Sequence, residues 1–311
     1  MYDIIGDIHG HADELFQLLE LMGYDRRRGH YSHPDRKAVF VGDFIDRGPQ
    51  ILEVLQTVRP MIETGSAYAV MGNHEFNAIA YHTSDPDHDG KFLRDHNEKN
   101  DRQHAETMRQ LSDDELREFI EWFRSLPMWL EIDGIRVVHA CWDDKSIDVI
   151  KKSHDEYGDV STAFMQSATR KSSPLFRAVE DVLKGKELPL PNGITYADKE
   201  GQVRTEVRVR WFEDFSGKTF EQYTLPAVDG VPNEPVPDSA SERITPYAPD
   251  EMPVFIGHYW LNAEHPSRLA HNVACVDYSV AKGGSLCAYR WDGETQLSNE
   301  KFVWVNARNR P

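Results

Sequence analysis

Three short segments in the first quarter of the chain, Gly6-Asp7-Ile8-His9-Gly10, Gly42-Asp43-Phe44-Ile45-Asp46-Arg47-Gly48 and Gly72-Asn73-His74-Glu75, each follow an apolar run of strand character. Asp3 to Ile5 breaks at Gly6, Ala38 to Val41 at Gly42, and Ala67 to Met71 at Gly72. Between the breaks helical spacing takes over. Leu15, Leu18, Leu19 and Met22 make one apolar stripe that Gly23 can cap, and Ile51, Leu52, Leu55 and Val58 make another, with Pro49 suited to a first helical position. A third helix is predicted from Gly72 through Ile79. Strands alternating with helices predict an α/β fold with a mainly parallel sheet, whose ligands gather at the carboxyl ends of the strands. All three segments lie at such ends. They bring hard oxygen ligands and imidazoles to one edge, with glycines that let the backbone turn sharply, and a dinuclear metal site needs that mixture.

Further along, Tyr81 to Gln110 is polar and weakly periodic, and reads as a surface excursion with some helix. Its histidines His82, His88, His96 and His104 have no metal-ligand spacing and read as solvated. Ser112 with Glu115 forms a capping box ahead of the apolar face Leu116, Phe119, Ile120 and Phe123, so 81–125 reads as a mostly helical excursion. Asp133-Gly134 between Trp129–Ile132 and Ile135–Val138 predicts a hairpin whose second strand ends at His139. From Asp143 to Pro253 runs a long insertion, with helix near Val179 to Leu183, a hairpin over Ile194 to Phe212 and a Pro-rich acidic stretch after Pro226. It is expected to form a cap-like roof over the site. Val254 to Ile256 is again strand, ending at Gly257-His258, and Val273 to Val305 reads as a meander punctuated by Gly283-Gly284 and Asp292-Gly293. The economical arrangement is a single domain over 1–311, a two-sheet β-sandwich flanked by helices with a helical and hairpin insertion over the site.

The net charge of −17 argues against general attraction to nucleic acid, which is driven by counterion release onto Lys and Arg. Cys141, Cys275 and Cys287 are odd in number and scattered, so a disulfide framework is not expected and a reducing compartment is. The first segment begins at Gly6, which leaves no room for a signal peptide before it, and no apolar run has membrane-spanning length. A soluble, cytoplasmic protein without a membrane partner is the expectation.

The three segments resemble the signature blocks of the phosphoprotein phosphatases within the calcineurin-like metallophosphoesterases. Val137-Val138-His139-Ala140 and Phe255-Ile256-Gly257-His258 resemble the two later histidine blocks, and Val276-Asp277-Tyr278 with Gly284 to Tyr289 the terminal hairpin. The resemblance implies that Asp7 and His9 bind a first divalent cation, that Asp43 bridges, and that Asn73, His139 and His258 complete a second. Manganese is the first choice, with iron or zinc as alternatives. Arg47 would clamp phosphate, and His74, oriented by Asp46, would protonate the departing oxygen. The family's second phosphate-binding arginine follows a Leu-Trp pair. Here Val209-Arg210-Trp211-Phe212 is similar, but no arginine follows Trp211, and Arg204, Arg208 and Arg210 alternate along a predicted strand as replacements. Cys141-Trp142 and Tyr259-Trp260 also depart from the family pattern, as base-stacking or packing aromatics.

The resemblance implies hydrolysis of phosphomonoesters, on phosphorylated protein or small phosphate esters, by a water activated between two cations and without a phosphorylated enzyme. A dinucleoside polyphosphate hydrolase is the alternative, followed by a nucleic-acid-end phosphatase and a non-catalytic scaffold.

Overall fold

The strand Tyr2–Ile5 is buried along its whole length, and it occupies the middle of the larger of two facing sheets. The computed structural model describes residues 1–27, 29–197, 201 and 203–308. Across the larger sheet the order is Asp277–Tyr278, Ser285–Trp291, Tyr2–Ile5, Lys37–Phe40 and Ala67–Ala69, with Phe302–Asn306 also paired to Ser285–Trp291. The three N-terminal strands are parallel, with Ile4 opposite Val39 and Val39 opposite Tyr68. Ser285–Trp291 runs antiparallel to the first strand, with Tyr289 opposite Ile4. The sheet is therefore mixed, because the C-terminal segment returns through tight turns instead of crossover helices. The second sheet has the order Val273–Cys275, Val254–Ile256, Ile135–Val138, Trp129–Ile132. Val273–Cys275, read from sequence as part of the closing meander, pairs in parallel with Val254–Ile256 in this second sheet.

Period-two alternation sorts the strand side chains between two faces. Ile4 and Val39 join a core with Val137, Phe255 and Ala274 of the other sheet. Ile5 and Phe40 join a larger one with Leu15, Leu18, Leu55 and Val58 of the helices Ala12–Leu21 and Ile51–Glu63. Each such side chain contributes about 1.5–3 kcal/mol by leaving water. Two sheets face to face with helices outside is the arrangement the sequence predicts.

Local signals hold where a short motif closes on itself. Ser112 and Glu115 cap the helix Asp113–Arg124 reciprocally, and Asp133 and Gly134 turn the hairpin with φ of 45° and 89°. Pro49 does not start its helix. Gln50 is the N-cap, because its N–H donates to the Gly10 carbonyl while the Ile51 N–H donates to Gln110 Oε1, so partners distant in sequence set the boundary.

The excursion holds the helix Glu98–Gln110, and the insertion holds the helices Asp144–Tyr157, Thr162–Thr169 and Pro174–Lys184. The expected hairpin is shorter than the sequence suggests. Tyr196–Ala197 pairs with Val203–Arg204, residues 198–200 and 202 of its turn lie outside the described residues, and Glu206–Arg208 pairs with Glu187–Pro189. Leu188, Val207, Val209, Phe220, Tyr223 and Ile244 form a separate core within the insertion.

Candidate metal centre and active site

The loops that leave the parallel strands are fastened to one another. The N–H groups of Ile8 and His9 both donate to the Asp43 carbonyl, at 3.1 and 2.9 Å, and that of Gly10 donates to Phe44 at 2.9 Å. His9, Asp43, Asp46, Arg47 and His258 all adopt positive φ, between 44° and 71°. That region costs an L residue about 1–2 kcal/mol, so these loops store strain that their mutual hydrogen bonds hold in place. Gly42 and Gly72 cross so closely that a Cβ on Gly42 would sit 2.3 Å from the Gly72 nitrogen. Glu75 ties the second loop to the third: Oε2 accepts from the N–H groups of Asp43 and Gly72 at 2.8 and 3.0 Å, and Oε1 from that of Phe44 at 2.8 Å. Burial and the Asp43 charge push the Glu75 carboxyl up to about 7.

On this frame, three imidazole nitrogens surround one carboxylate oxygen. His139 Nε2, His9 Nε2 and His74 Nε2 lie 3.4, 3.5 and 3.9 Å from Asp43 Oδ2, longer than good hydrogen bonds. Burial disfavours ionisation of Asp43, but His139 and His74 outweigh it and hold the carboxyl well below its ordinary range. Asn73 Oδ1 lies 3.2 Å from His139 Nε2 and 2.7 Å from His258 Nδ1. The Asp7 carboxylate accepts the His258 N–H at 3.1 Å, and burial together with Asp277 raises it.

These residues fit a pair of cations. His9 Nδ1 and His139 Nδ1 face the carbonyls of Ile45 and Val41 at 2.8 and 2.6 Å, so each ring donates there and turns Nε2 inward as the atom that would ligate. His9 Nε2 and His258 Nε2 are buried without a hydrogen-bond partner. Nitrogen and oxygen donors of His9, Asp43 and His74, and of Asp43, His139 and His258, lie within 4.8 Å of one another in each set. Asp43 belongs to both, as a bridging ligand must. Burial opposes charge on His139, yet Asp43 and Asp7 lift it to about 10, so a cation entering here displaces a proton.

Beside the cluster, His74 Nδ1 lies 2.5 Å from Asp46 Oδ2, which leaves its Nε2 toward a cavity of about 770 Å³. The Arg47 guanidinium lies 4.1 Å from the ring centre of Trp260, and the Lys282 ammonium 3.9 Å from it. Both the excursion and the insertion line this cavity, the first through Arg94, Lys99 and Arg102 and the second through Lys184, Arg204 and Arg208.

The structure thus brings His9, Asp43, Asn73, His139, His258, His74, Asp46 and Arg47 to one place, with Asp7 joined to them through the His258 N–H. It separates the three insertion arginines. Arg208 reaches the cavity with its Nε on the Lys184 carbonyl at 2.8 Å, whereas Arg210 binds Glu213 at 3.0 Å and does not line the cavity. The expected alternation fails because the strand ends at Arg208: the Trp211 N–H turns back to the Val209 carbonyl, and Val209 bridges Thr224 instead. The aromatics divide as well. Trp142 and Tyr259 are buried, Tyr259 against Trp211 Nε1 at 3.0 Å, and although Tyr259 and Trp260 both border the cavity, only Trp260 is partly exposed there.

Sequence reasoning missed four participants. Glu75 stood inside the third block without a role, and Asp277 inside the closing strands. His104, read as solvated, is buried with Nδ1 2.8 Å from Asp46 Oδ1, and Thr107 donates to the same oxygen at 2.5 Å. Their one sequence signal is helical spacing, i and i+3, within a polar stretch.

A model of the calcineurin-like phosphoesterase family matches residues 2–219. The bis(5'-nucleosyl)-tetraphosphatase PrpE of Halalkalibacterium halodurans is 53% identical over 74 residues, 24% of this chain and 30% of that protein. The protein of the same name from Oceanobacillus iheyensis is 31% identical over 169 residues, 52% of this chain and 66% of that one. Less than two thirds of either relative is spanned. The crystal structure of a cold-active protein-tyrosine phosphatase of a Shewanella species is 17% identical with a TM-score of 0.48, covering 99% of this chain and 80% of that one.

Proposed function

The chain belongs to the calcineurin-like phosphoesterase family, and on that premise we propose that it is a metal-dependent hydrolase of small phosphoric esters carrying several phosphates, such as dinucleoside polyphosphates. The observation that carries the substrate class is charge. A protein of net charge −17 gathers Arg47, Arg94, Lys99, Arg102, Lys184, Arg204, Arg208 and Lys282 around one cavity, where the carboxylates are Asp43, Glu106, Glu180 and Glu187. So many cationic side chains around one cavity exceed what a single phosphate engages and suit a polyanion with several phosphates. The tetraphosphatase names of the PrpE relatives agree with this reading.

Asp7, His9 and Asp43 would hold one divalent cation, and Asp43, Asn73, His139 and His258 another; when bound, the pair supplies Lewis acidity to a phosphoryl oxygen and to a water. Arg47, stacked on Trp260, would orient two phosphoryl oxygens and accept the charge that grows on them in the transition state. His74, as the imidazolium, would give its Nε2 proton to the departing oxygen, while its Nδ1–H stays on the Asp46 carboxylate, which aims the ring.

A simpler monoesterase, acting on phosphoprotein or a sugar phosphate, is the second reading. The burial of Trp142 and Tyr259 favours it, since neither is free to stack a base. One comparison decides: release of products from diadenosine tetraphosphate and of phosphate from a phosphoserine peptide by the same manganese-loaded protein. Preference for the dinucleotide by tenfold or more in kcat/KM supports the polyphosphate reading, the reverse supports the monoesterase, and no turnover of either sinks both.

A further inference from the structure

The helix Glu98–Gln110 turns one face toward the loop that carries Asp46. His104, Thr107 and Gln110 recur at i, i+3 and i+6, the spacing of a single helical face. His104 Nδ1 lies 2.8 Å from Asp46 Oδ1, and Thr107 Oγ1 donates to that oxygen at 2.5 Å and accepts the Asp46 N–H at 3.0 Å. Gln110 Nε2 donates to the Gly48 carbonyl at 2.9 Å, and its Oε1 accepts the Ile51 N–H at 2.7 Å. All three of these residues grip the loop between Asp46 and Ile51. That loop is strained, with Asp46 and Arg47 at φ of 65° and 70°.

Proton accounting fixes the direction of each bond. An ionised carboxylate only accepts, so His104 carries its proton on Nδ1, as His74 does on its own Nδ1 toward Asp46 Oδ2 at 2.5 Å. His104 Nε2 then meets His82 Nε2 at 3.1 Å, a hydrogen-bonding distance that requires one of the two nitrogens to donate. The two oxygens of Asp46 are thereby divided: Oδ1 belongs to His104 and Thr107, and Oδ2 is left for His74. His104 is buried, so bulk water does not substitute for its bond.

We propose that His104, braced by His82, is a positioning residue for phosphoester hydrolysis: it pins one oxygen of Asp46 so that the other holds His74 aimed at the leaving group. The inference rests on the hydrolase reading above. Without the pin Oδ1 keeps only the Thr107 hydroxyl, the carboxylate gains freedom about its Cβ–Cγ bond, and His74 is aimed less well. Proton delivery then suffers selectively. Esters with poor leaving groups need that proton, and esters of acidic phenols do not.

The test compares His104→Leu, which deletes the donor, with His104→Asn, whose amide nitrogen takes nearly the place of Nδ1. Two substrates are used, an alkyl phosphate ester and a nitrophenyl one, on manganese-loaded protein. The expected result is a fall of roughly 10- to 100-fold in kcat for the alkyl ester with His104→Leu, the range typical of groups that orient a functional side chain. The nitrophenyl ester changes less than about threefold, and His104→Asn recovers most of the alkyl activity. Thr107→Val, which removes the other donor to Oδ1, shows the same leaving-group selectivity more weakly and serves if His104→Leu does not fold. Equal losses on both substrates, or no recovery by His104→Asn, would overturn the proposal. Failure of the hydrolase reading looks different, since wild-type protein then turns over neither ester nor diadenosine tetraphosphate.

Discussion

At the floor of the cleft Asp7, Asp43 and His139 are no more than 2% exposed and stand on loops whose backbones hydrogen-bond to each other, while the wall presents Lys99, Arg102 and Arg204 on exposed positions of the excursion and insertion. Position at the floor is over-determined: each candidate ligand has a strand behind it and a carbonyl, carboxylate or imidazole beside it. Position at the wall is less constrained by burial, because these three side chains stand on exposed positions where solvent screens their charges. Chemistry that needs fixed geometry is thus concentrated at the floor, and recognition of a variable anion is spread over the wall.

Substitutions should separate the two regions by size of effect. At the floor, Asp43→Asn removes the charge shared by both ligand sets, and turnover should fall to background with manganese affinity lost by calorimetric titration; residual turnover within tenfold of wild type would refute the bridging role. His74→Asn should keep manganese binding yet lower kcat by roughly 10² to 10⁴ on poor leaving groups. Gly72→Ala probes the strained crossing, where a Cβ would meet Asp43 Oδ1 at 2.2 Å. It should lower stability by about 1–3 kcal/mol in urea melts and weaken manganese binding in parallel. A wild-type melting curve would mean that the loops give way more easily than their hydrogen bonds suggest.

Wall substitutions should act on affinity alone. Arg204→Ala with Arg208→Ala should raise KM for diadenosine tetraphosphate by about tenfold, weaken its salt dependence and leave kcat nearly unchanged. Equal effects on a nitrophenyl monoester would erase the distinction between floor and wall. The smallest effect is expected far from both. Asp292 is held down to about 2 by hydrogen bonds from Lys301 and Arg36. A depressed carboxyl contributes stability fully present above its unfolded value near 4 and lost as pH falls through about 2. Asp292→Asn should therefore cost less than about 1 kcal/mol at pH 7, this site being partly exposed, and progressively less as pH falls from about 4 through about 2.

Much of the floor was legible because its signals are local. Asp7, Asp43 and Asn73 each stand one residue after a glycine that ends an apolar run, so period-two burial followed by a forced turn reveals the strand end without knowledge of its partners. The Asp133-Gly134 hairpin and the Ser112 capping box were readable for the same reason: their hydrogen bonds close within a few residues. The insertion was not. Its helices Asp144–Tyr157 and Thr162–Thr169 carry weak apolar stripes, and its strands are two or three residues long, below the length at which alternation can be recognised.

The sequence by itself determined the two-sheet class, the family blocks and the candidate ligands, because each is written in neighbouring residues whose periodicity and turn chemistry act within one element. Only the tertiary structure decided that His104 and Thr107 serve Asp46 while Arg210 serves Glu213. A polar side chain on a helix or at a strand end can satisfy its hydrogen bonds from solvent or from protein equally well in sequence terms, and which one it uses depends on what another element brings within 3 Å.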